Sequence, residues 1–406
     1  MKKLTLIIAA LLLAFCPFTA VGQTPNSEEM WRTIQQQANE LEKLRAEVAA
    51  LKTQQSTTDD VLDQVVEKTE STDFGGPSLL GSDVQIGGYG EMHYNTLNGD
   101  GGGSDKDQID YHRFVLFIGH EFTEGIRFFG EIELEHSLAG DGKPGEVELE
   151  QAYIDFDLSE SHTARGGLFP IPVGILNETH EPNTFYGTER NNVEKNIIPT
   201  TWWAGGVALH GELAEGLQYD LAYTSGLAVE DDYKIRGGRQ KVAEGAADSG
   251  AVTGRLRLAR PGFVVGATLQ HQNDLTQNGA NGAPEKAAAT LYEGHVVFEK
   301  GSFGLRALYA HWDVDADAAE ALGRDQQEGW YIEPSLRLNE KVGVFARYSE
   351  WDNEAGNSID TEYDQIDFGI NIWPHENIVL KADYQMQEKG TGAEVDGLNL
   401  AIGFSF

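Results

Sequence analysis

What most constrains the fold of this chain is a change of period. From Asp83 to Phe406, apolar and polar residues alternate one by one in segments of about ten to thirteen residues. The segments are 84–96, 109–121, 126–138, 146–157, 162–170, 202–213, 217–226, 251–259, 262–271, 288–299, 302–313, 327–338, 341–351, 362–373, 376–388 and 394–406. Period two places successive side chains on opposite faces of a strand. Tight turns fall at Glu121–Gly125, Leu158–Ser161, Ala214–Gly216, Arg260–Pro261, Lys300–Gly301, Asn339–Glu340 and Pro374–His375. Between them lie longer Gly- and acid-rich loops at 97–108, 139–145, 171–201, 227–250, 272–287, 314–326, 352–361 and 389–393. Short and long connections alternate strictly. A membrane barrel with turns at one rim and loops at the other produces that order, and a soluble sandwich has no reason to. The expected fold is all-β: a sixteen-stranded antiparallel transmembrane β-barrel over 84–406.

Bulk composition agrees with this and excludes other classes. The 406 residues carry a net charge of −35, which argues against sequence-independent nucleic-acid binding, since that needs Lys and Arg to neutralise phosphates. Beyond the N-terminus no stretch approaches the ~20 apolar residues of a membrane helix. At the N-terminus, Lys2 and Lys3 precede an apolar run from Leu4 to Phe18, with Ala20 and Gly22 after it. That order predicts a signal peptide over 1–22, too short for a membrane anchor. Its removal takes the charge from −35 to −37 and deletes Cys16, the only Cys, so no disulfide is expected. Over 23–70 a seam of Met30, Ile34, Leu41, Leu44, Val48, Leu51, Leu62 and Val65, with Gln37 as a polar exception, predicts a coiled-coil helix. It serves oligomerisation or lies alone as an amphipathic helix; no apolar soluble domain is nearby for it to cover. Residues 71–83, with Gly75, Gly76 and Pro77, read as a linker.

Parity assigns the faces. Ile126, Phe128, Ile132 and Leu134 oppose Arg127, Glu131, Glu133 and Glu135. A charge on the lipid face costs ~2–4 kcal/mol at midplane, so the charged set belongs to the lumen. The basic residues placed there are Arg113, Arg127, Arg165, Arg255, Arg257, Arg306, Arg337, Arg347 and Lys381; the acidic ones include Glu131, Glu133, Glu135, Asp155, Asp367 and Asp383. A lumen so charged is expected to be wet, and sixteen strands leave room for an aqueous channel. Glu148 and Glu150 share parity with Ala152 and Ile154, which predicts a bulge near Gln151. Trp202, Trp203, Trp312, Trp351 and Trp373 fall near strand ends, where aromatic girdles sit. His93, His112, His120, His136 and His162 show no metal-ligand spacing, and Lys234, Arg236, Arg239 and Lys241 read as a solvated loop patch. No catalytic residue, metal or cofactor is expected, because no Ser–His–acid or paired-carboxylate motif stands out.

Several motifs resemble those of the phosphate-selective porin O and P family. They are Val84–Gly90, Gly166–Gly174, Asn177–Pro182 and Ile197–Trp203, together with the N-terminal coiled coil. The resemblance covers essentially the whole mature chain. It implies a homotrimeric outer-membrane porin with a periplasmic N-terminal segment, surrounded by lipid and lipopolysaccharide, whose third long loop, 171–201, narrows the lumen. The alternating last strand ending in Phe406 resembles the signal read by the barrel-insertion machinery. In the loop, Arg190 and Lys195 face Glu178, Glu181, Glu189 and Glu194, with His180 between them; the net of −2 is the opposite of an anion trap. A general or weakly cation-preferring pore for small hydrophilic solutes or ions is expected, with a phosphate channel, an outer-membrane enzyme and a structural tether as alternatives.

Overall fold

The computed structural model describes residues 84–406; the signal peptide, the coiled coil and the linker lie outside the described residues. Sixteen strands follow one another: β1 (Val84–Asp100), β2 (Lys106–Thr123), β3 (Ile126–Glu135), β4 (Val147–Ser159), β5 (His162–Pro170), β6 (Trp203–Ala214), β7 (Leu217–Thr224) and β8 (Ala251–Arg260). The second half is β9 (Phe263–Gln272), β10 (Ala288–Lys300), β11 (Phe303–Asp315), β12 (Gln326–Asn339), β13 (Val342–Asp352), β14 (Tyr363–His375), β15 (Ile378–Lys389) and β16 (Glu394–Ser405). Every strand pairs antiparallel with its sequence neighbours, and β16 closes on β1 from Tyr89↔Ser405 to Asp100↔Glu394. Closure leaves no strand edge without a partner.

One rim carries seven connections of two residues each, between 124–125 and 376–377. Gly125, Gly216 and Gly262 take the second position with φ of 80°, 64° and 71°, a left-handed conformation that glycine enters without steric cost. The other rim carries the long loops. Strands run farther than the alternation predicted: β1 and β2 leave a loop of only 101–105 in place of 97–108. Above the lipid-facing band a ladder can continue through polar residues, which hydropathy does not register. Pro374–His375 likewise belongs to β14, with the turn at 376–377; a register irregularity between Ile372 and His375 accommodates the proline.

The faces follow parity. Ile132, Leu149, Val207, Leu256, Phe368 and Leu400 are exposed on the outside, while Glu131, Glu133, Arg347, Asp367 and Lys381 are buried on the inside. Between β3 and β4 the register passes from Glu131↔Gln151 to Ile132↔Leu149, leaving Glu150 as the extra residue of a bulge. The bulge predicted near Gln151 is therefore present, and it brings Glu148 and Glu150 inside together. The five tryptophans do not form girdles. Trp202, Trp203, Trp312, Trp351 and Trp373 are all buried within the barrel; Trp202 lies 6.1 Å from Trp312 and Trp373 lies 5.8 Å from Tyr186. They pack loops against the inner wall.

Candidate functional site

The connection between β5 and β6, residues 171–202, enters the barrel because its two ends are apolar. Ile171, Val173, Val193, Ile197, Ile198 and Trp202 are fully or almost fully buried. They join one cluster with Leu308, Ala310 and Trp312 of β11 and with Leu227 and Val229 of loop 225–250. Removing such side chains from water stabilises docking by roughly 1.5–3 kcal/mol each. Asn177 staples the loop ends: its Nδ2 donates to the carbonyls of Ile171 and Trp202 at 2.8 Å each, and its Oδ1 accepts from the Trp202 amide at 2.7 Å.

A fully buried carboxylate fixes the middle. Glu194 lies in the short helix α1 (Asn192–Asn196), capped by the Asn191 side chain. Its Oε2 accepts from the Ile175 and Leu176 amides at 3.0 and 2.6 Å. Its Oε1 accepts from the Tyr331 hydroxyl at 2.9 Å and from Asn191 Nδ2 at 3.2 Å. Gly174, at φ 69°, passes so close that a Cβ there would sit 2.8 Å from Glu194 Oε2. Farther along, the loop touches opposite walls. Arg113 Nη2 of β2 donates to the His180 carbonyl at 2.8 Å, and Arg306 Nη2 of β11 to the Thr184 carbonyl at 2.7 Å. The Thr188 amide donates to Asp383 Oδ2 of β15 at 2.6 Å, and Lys381 Nζ lies 3.6 Å from the Phe185 ring centroid.

The loop's acidic excess is neutralised locally. Arg255 bonds Glu178 and also holds Asp220 at 2.8 Å. His93 Nδ1 lies 3.3 Å from Glu189, with Lys106 at 4.0 Å. Burial would raise the Glu189 carboxyl, but the His93 hydrogen bond and nearby positive charge hold it well below the usual carboxylate range. Glu181 is half-buried on the same stretch as His180. Burial, with Arg113 and Arg190 close by, pushes the His180 imidazole down to about 3, so its ring is neutral.

The loop's cations are placed differently. Arg190 Nη1 donates to Thr201 Oγ1 at 2.7 Å. Arg236 of loop 225–250 donates to the carbonyls of Lys195 and Thr200, and Arg239 to that of Thr201 at 2.7 Å. Three guanidinium groups thus converge on residues 195–201, held by neutral oxygens and by no carboxylate among the described residues. Burial, with Arg239 and Arg190 nearby, pushes Arg236 down to about 9. Arg236 and Arg239 of the patch read as an ordinary solvated loop therefore turn onto the constriction loop, whereas Lys234 lies near Asp232 and Lys241 bonds Glu146 at 2.8 Å and Glu148. Glu135, Glu148 and Glu150 of β3 and β4 lie within electrostatic reach of Arg239, so an acidic wall stands near the arginine group.

The remaining wall charges pair around the circumference. Arg347 joins Glu333 at 3.1 Å and Asp367 at 2.9 Å. Arg165 binds Asp155 through two bonds of 2.8 and 2.9 Å. Arg127 does the same with Asp157 at 2.5 and 2.6 Å. Arg257 donates to Gln218, and Arg337 lies over Trp373. A uniformly wet lumen is not what forms: Arg113, Glu131, Glu133, Arg347, Asp367, Lys381 and Asp383 are only 1–4% exposed. Loops cover them, while a recess of about 630 Å³ opens at the turn rim beside Arg127, Tyr153 and Asp155. Cross-strand pairing also gathers histidines that are remote in sequence. The rings of His93 and His112 stack at 4.5 Å, and Asp110 bonds both His112 and His136. Linear spacing carries no trace of that grouping, because β1–β2–β3 register creates it.

No family model matches the chain. Solved structures share its fold at low identity. The anion-selective porin of Comamonas acidovorans aligns with a TM-score of 0.58 at 11% identity, over 80% of this chain and 99% of that one. OmpF of Salmonella typhi aligns at 0.55 and 16%, over 80% and 97%. OprB of Pseudomonas putida aligns at 0.55 and 12%, over 82% and 97%. In sequence, an uncharacterized protein of Aquifex aeolicus (strain VF5) is 30% identical over 368 residues, covering 80% of each chain. This chain belongs to the same family as that Aquifex aeolicus protein, and its described residues carry the sixteen-strand fold of outer-membrane porins.

Proposed function

We propose that the protein is an outer-membrane porin through which small hydrophilic solutes or ions diffuse passively. The carrying observation is loop 171–202, anchored across the inside of a closed barrel whose outside is apolar. Solvent still reaches Glu189, Arg190, Lys195, Arg236 and Arg239, which mark the wet part of the cross-section. The predicted signal peptide and the apolar outer face support outer-membrane placement, with lipid around the barrel and lipopolysaccharide at the loop rim. The heptad seam over 23–70 supports self-association; the homotrimer rests on the family resemblance, and OmpT of Vibrio cholerae is described in a trimer form. Phe406 suits a role as insertion signal: it is 53% exposed and exchanges two 2.9 Å backbone bonds with Gly88. The finer assignment to the phosphate-selective O and P family rests on the motifs around Gly166–Gly174 and Ile197–Trp203.

A passive pore needs no cofactor and no catalytic group, and we read the interior charges as solute-contacting or structural. For selectivity the first reading is a general pore, with paired acids and bases along its wall. A second reading, anion preference, is favoured by the arginine group at 195–201; the Comamonas acidovorans porin is named as anion-selective. Reversal potential under a KCl gradient separates them. A value near zero or weakly cation-directed supports the general pore. Strong anion selectivity with block by phosphate supports the second reading.

A further inference from the structure

The β4 bulge has a chemical consequence. It turns Glu150 inward beside Glu131 of β3, and loop 171–202 lays His180 on top of both. His180 Nε2 lies 3.5 Å from Glu150 Oε2 and 4.0 Å from Glu131 Oε1. The three side chains are 1–3% exposed. None of these atoms has a hydrogen-bond partner, nor does His180 Nδ1. Buried polar atoms are ordinarily satisfied, and two carboxylate oxygens turned toward one imidazole nitrogen lack a cation between them. Nearby cations make no bond to these atoms: Arg113 gives Nε to Glu91 at 2.6 Å and Nη2 to the His180 carbonyl while its Nη1 makes no hydrogen bond, and Arg190 gives Nη1 to Thr201. Gln151 donates to the other oxygen of Glu131, orienting that carboxylate as outer-shell partners of metal ligands do.

We propose that Glu131 Oε1, Glu150 Oε2 and His180 Nε2 form a site for a divalent transition-metal ion of the zinc class, tying the constriction loop to β3 and β4. One imidazole and two carboxylates match the nitrogen and oxygen ligands of such ions, whereas calcium and magnesium prefer all-oxygen sets. Bonds of about 2.0–2.1 Å in tetrahedral geometry place ligand atoms about 3.4 Å apart. Of the two separations involving His180, that to Glu150 is 3.5 Å and already matches, and that to Glu131 is 4.0 Å and would close by about 0.6 Å on binding. The site exists only when two strands and the docked loop are together, so the ion is acquired as the barrel folds and holds the loop afterwards. The other histidine group is a weaker candidate, since His93 Nδ1 is already bonded to Glu189 and His112 Nδ1 to Asp110, each at 3.3 Å.

The test uses the tag-free, full-length protein, unfolded in chelator and refolded in detergent with zinc. Bound metal is measured by elemental analysis after dialysis, and barrel folding by circular dichroism and heat-modifiable gel mobility. One zinc per chain is expected, with Glu150→Gln and His180→Gln each weakening binding by about a hundredfold or more and Glu362→Gln leaving it unchanged. X-ray absorption of the zinc-loaded wild type provides a readout independent of any variant's folding; one imidazole with oxygen neighbours is expected. Folded wild type that takes up no zinc would overturn the proposal and leave a shared proton between the carboxylates. Equal zinc binding by wild type and both folded variants, or a metal shell without imidazole, would overturn it as well.

Discussion

Replacing Glu194 with Ala should release the constriction loop from inside while leaving the barrel closed. The Glu194 carboxylate accepts two loop amides, Ile175 and Leu176, and the Tyr331 hydroxyl from β12. Alanine leaves both amides without that acceptor in a site with no exposure. Each unsatisfied buried donor costs about 1–3 kcal/mol, so the docked loop loses roughly 2–6 kcal/mol. At about 4 kcal/mol the undocked population rises about a thousandfold, since each 1.4 kcal/mol is a factor of ten. Strand pairing is untouched, because no ladder residue changes. Trypsin cleavage after Arg190 in detergent-folded protein reads that population when opening is fast relative to cleavage. The expected result is cleavage faster by about one to four decades (about 10–10⁴-fold), together with larger and noisier single-channel steps. Glu194→Gln should show a smaller effect, since its amide oxygen can still accept from the loop amides. Unchanged cleavage and conductance in a folded Glu194→Ala barrel would refute the docking role assigned to this carboxylate.

Three further outcomes follow from named contacts. Arg347→Ala strands Glu333 and Asp367 without their buried cation and should destabilise by about 3–5 kcal/mol, read as a lower urea midpoint; neutralising all three with Met, Gln and Asn should recover most of the loss. Reversing Arg190, Arg236 and Arg239 to Glu should move the reversal potential toward cations, whereas reversing Lys300 at the turn rim should leave it nearly unchanged. Glu362 is raised to about 7 by burial and by Glu350, Asp364, Asp360 and Asp352. A carboxyl whose folded pKa is raised contributes stability that is present below its unfolded pKa and lost as pH rises through about 7. Melting of Glu362→Gln should therefore match wild type near pH 4 and exceed it increasingly toward pH 8.

The barrel was legible because lipid imposes a two-residue period on every strand and strict alternation on the connections. Even the bulge at Glu150 announced itself, through two glutamates sharing parity with Ala152 and Ile154. What escaped was whatever depends on how the loops fold inward. The tryptophans near strand ends satisfied the girdle pattern, yet the same positions also suit residues that pack loops from inside. Counting loop charges gave −2, but Arg255 and His93 lie on distant strands, and only the closed barrel brings them to Glu178 and Glu189. The apolar pairs Ile197–Ile198 and Leu227–Val229, unusual in exposed loops, were the available sign that these loops bury themselves. The meeting of Glu131, Glu150 and His180 had no linear sign, because a bulge and a docked loop create it.

The central claim is that loop 171–202 constricts a conducting barrel. Planar-bilayer recording of the purified full-length protein, beside a variant lacking residues 178–190, tests it most directly. Discrete conductance steps from wild type, with distinctly larger steps from the shortened loop, are the expected result. Correctly folded wild type that never conducts would contradict the channel, and equal steps from both proteins would contradict the constriction.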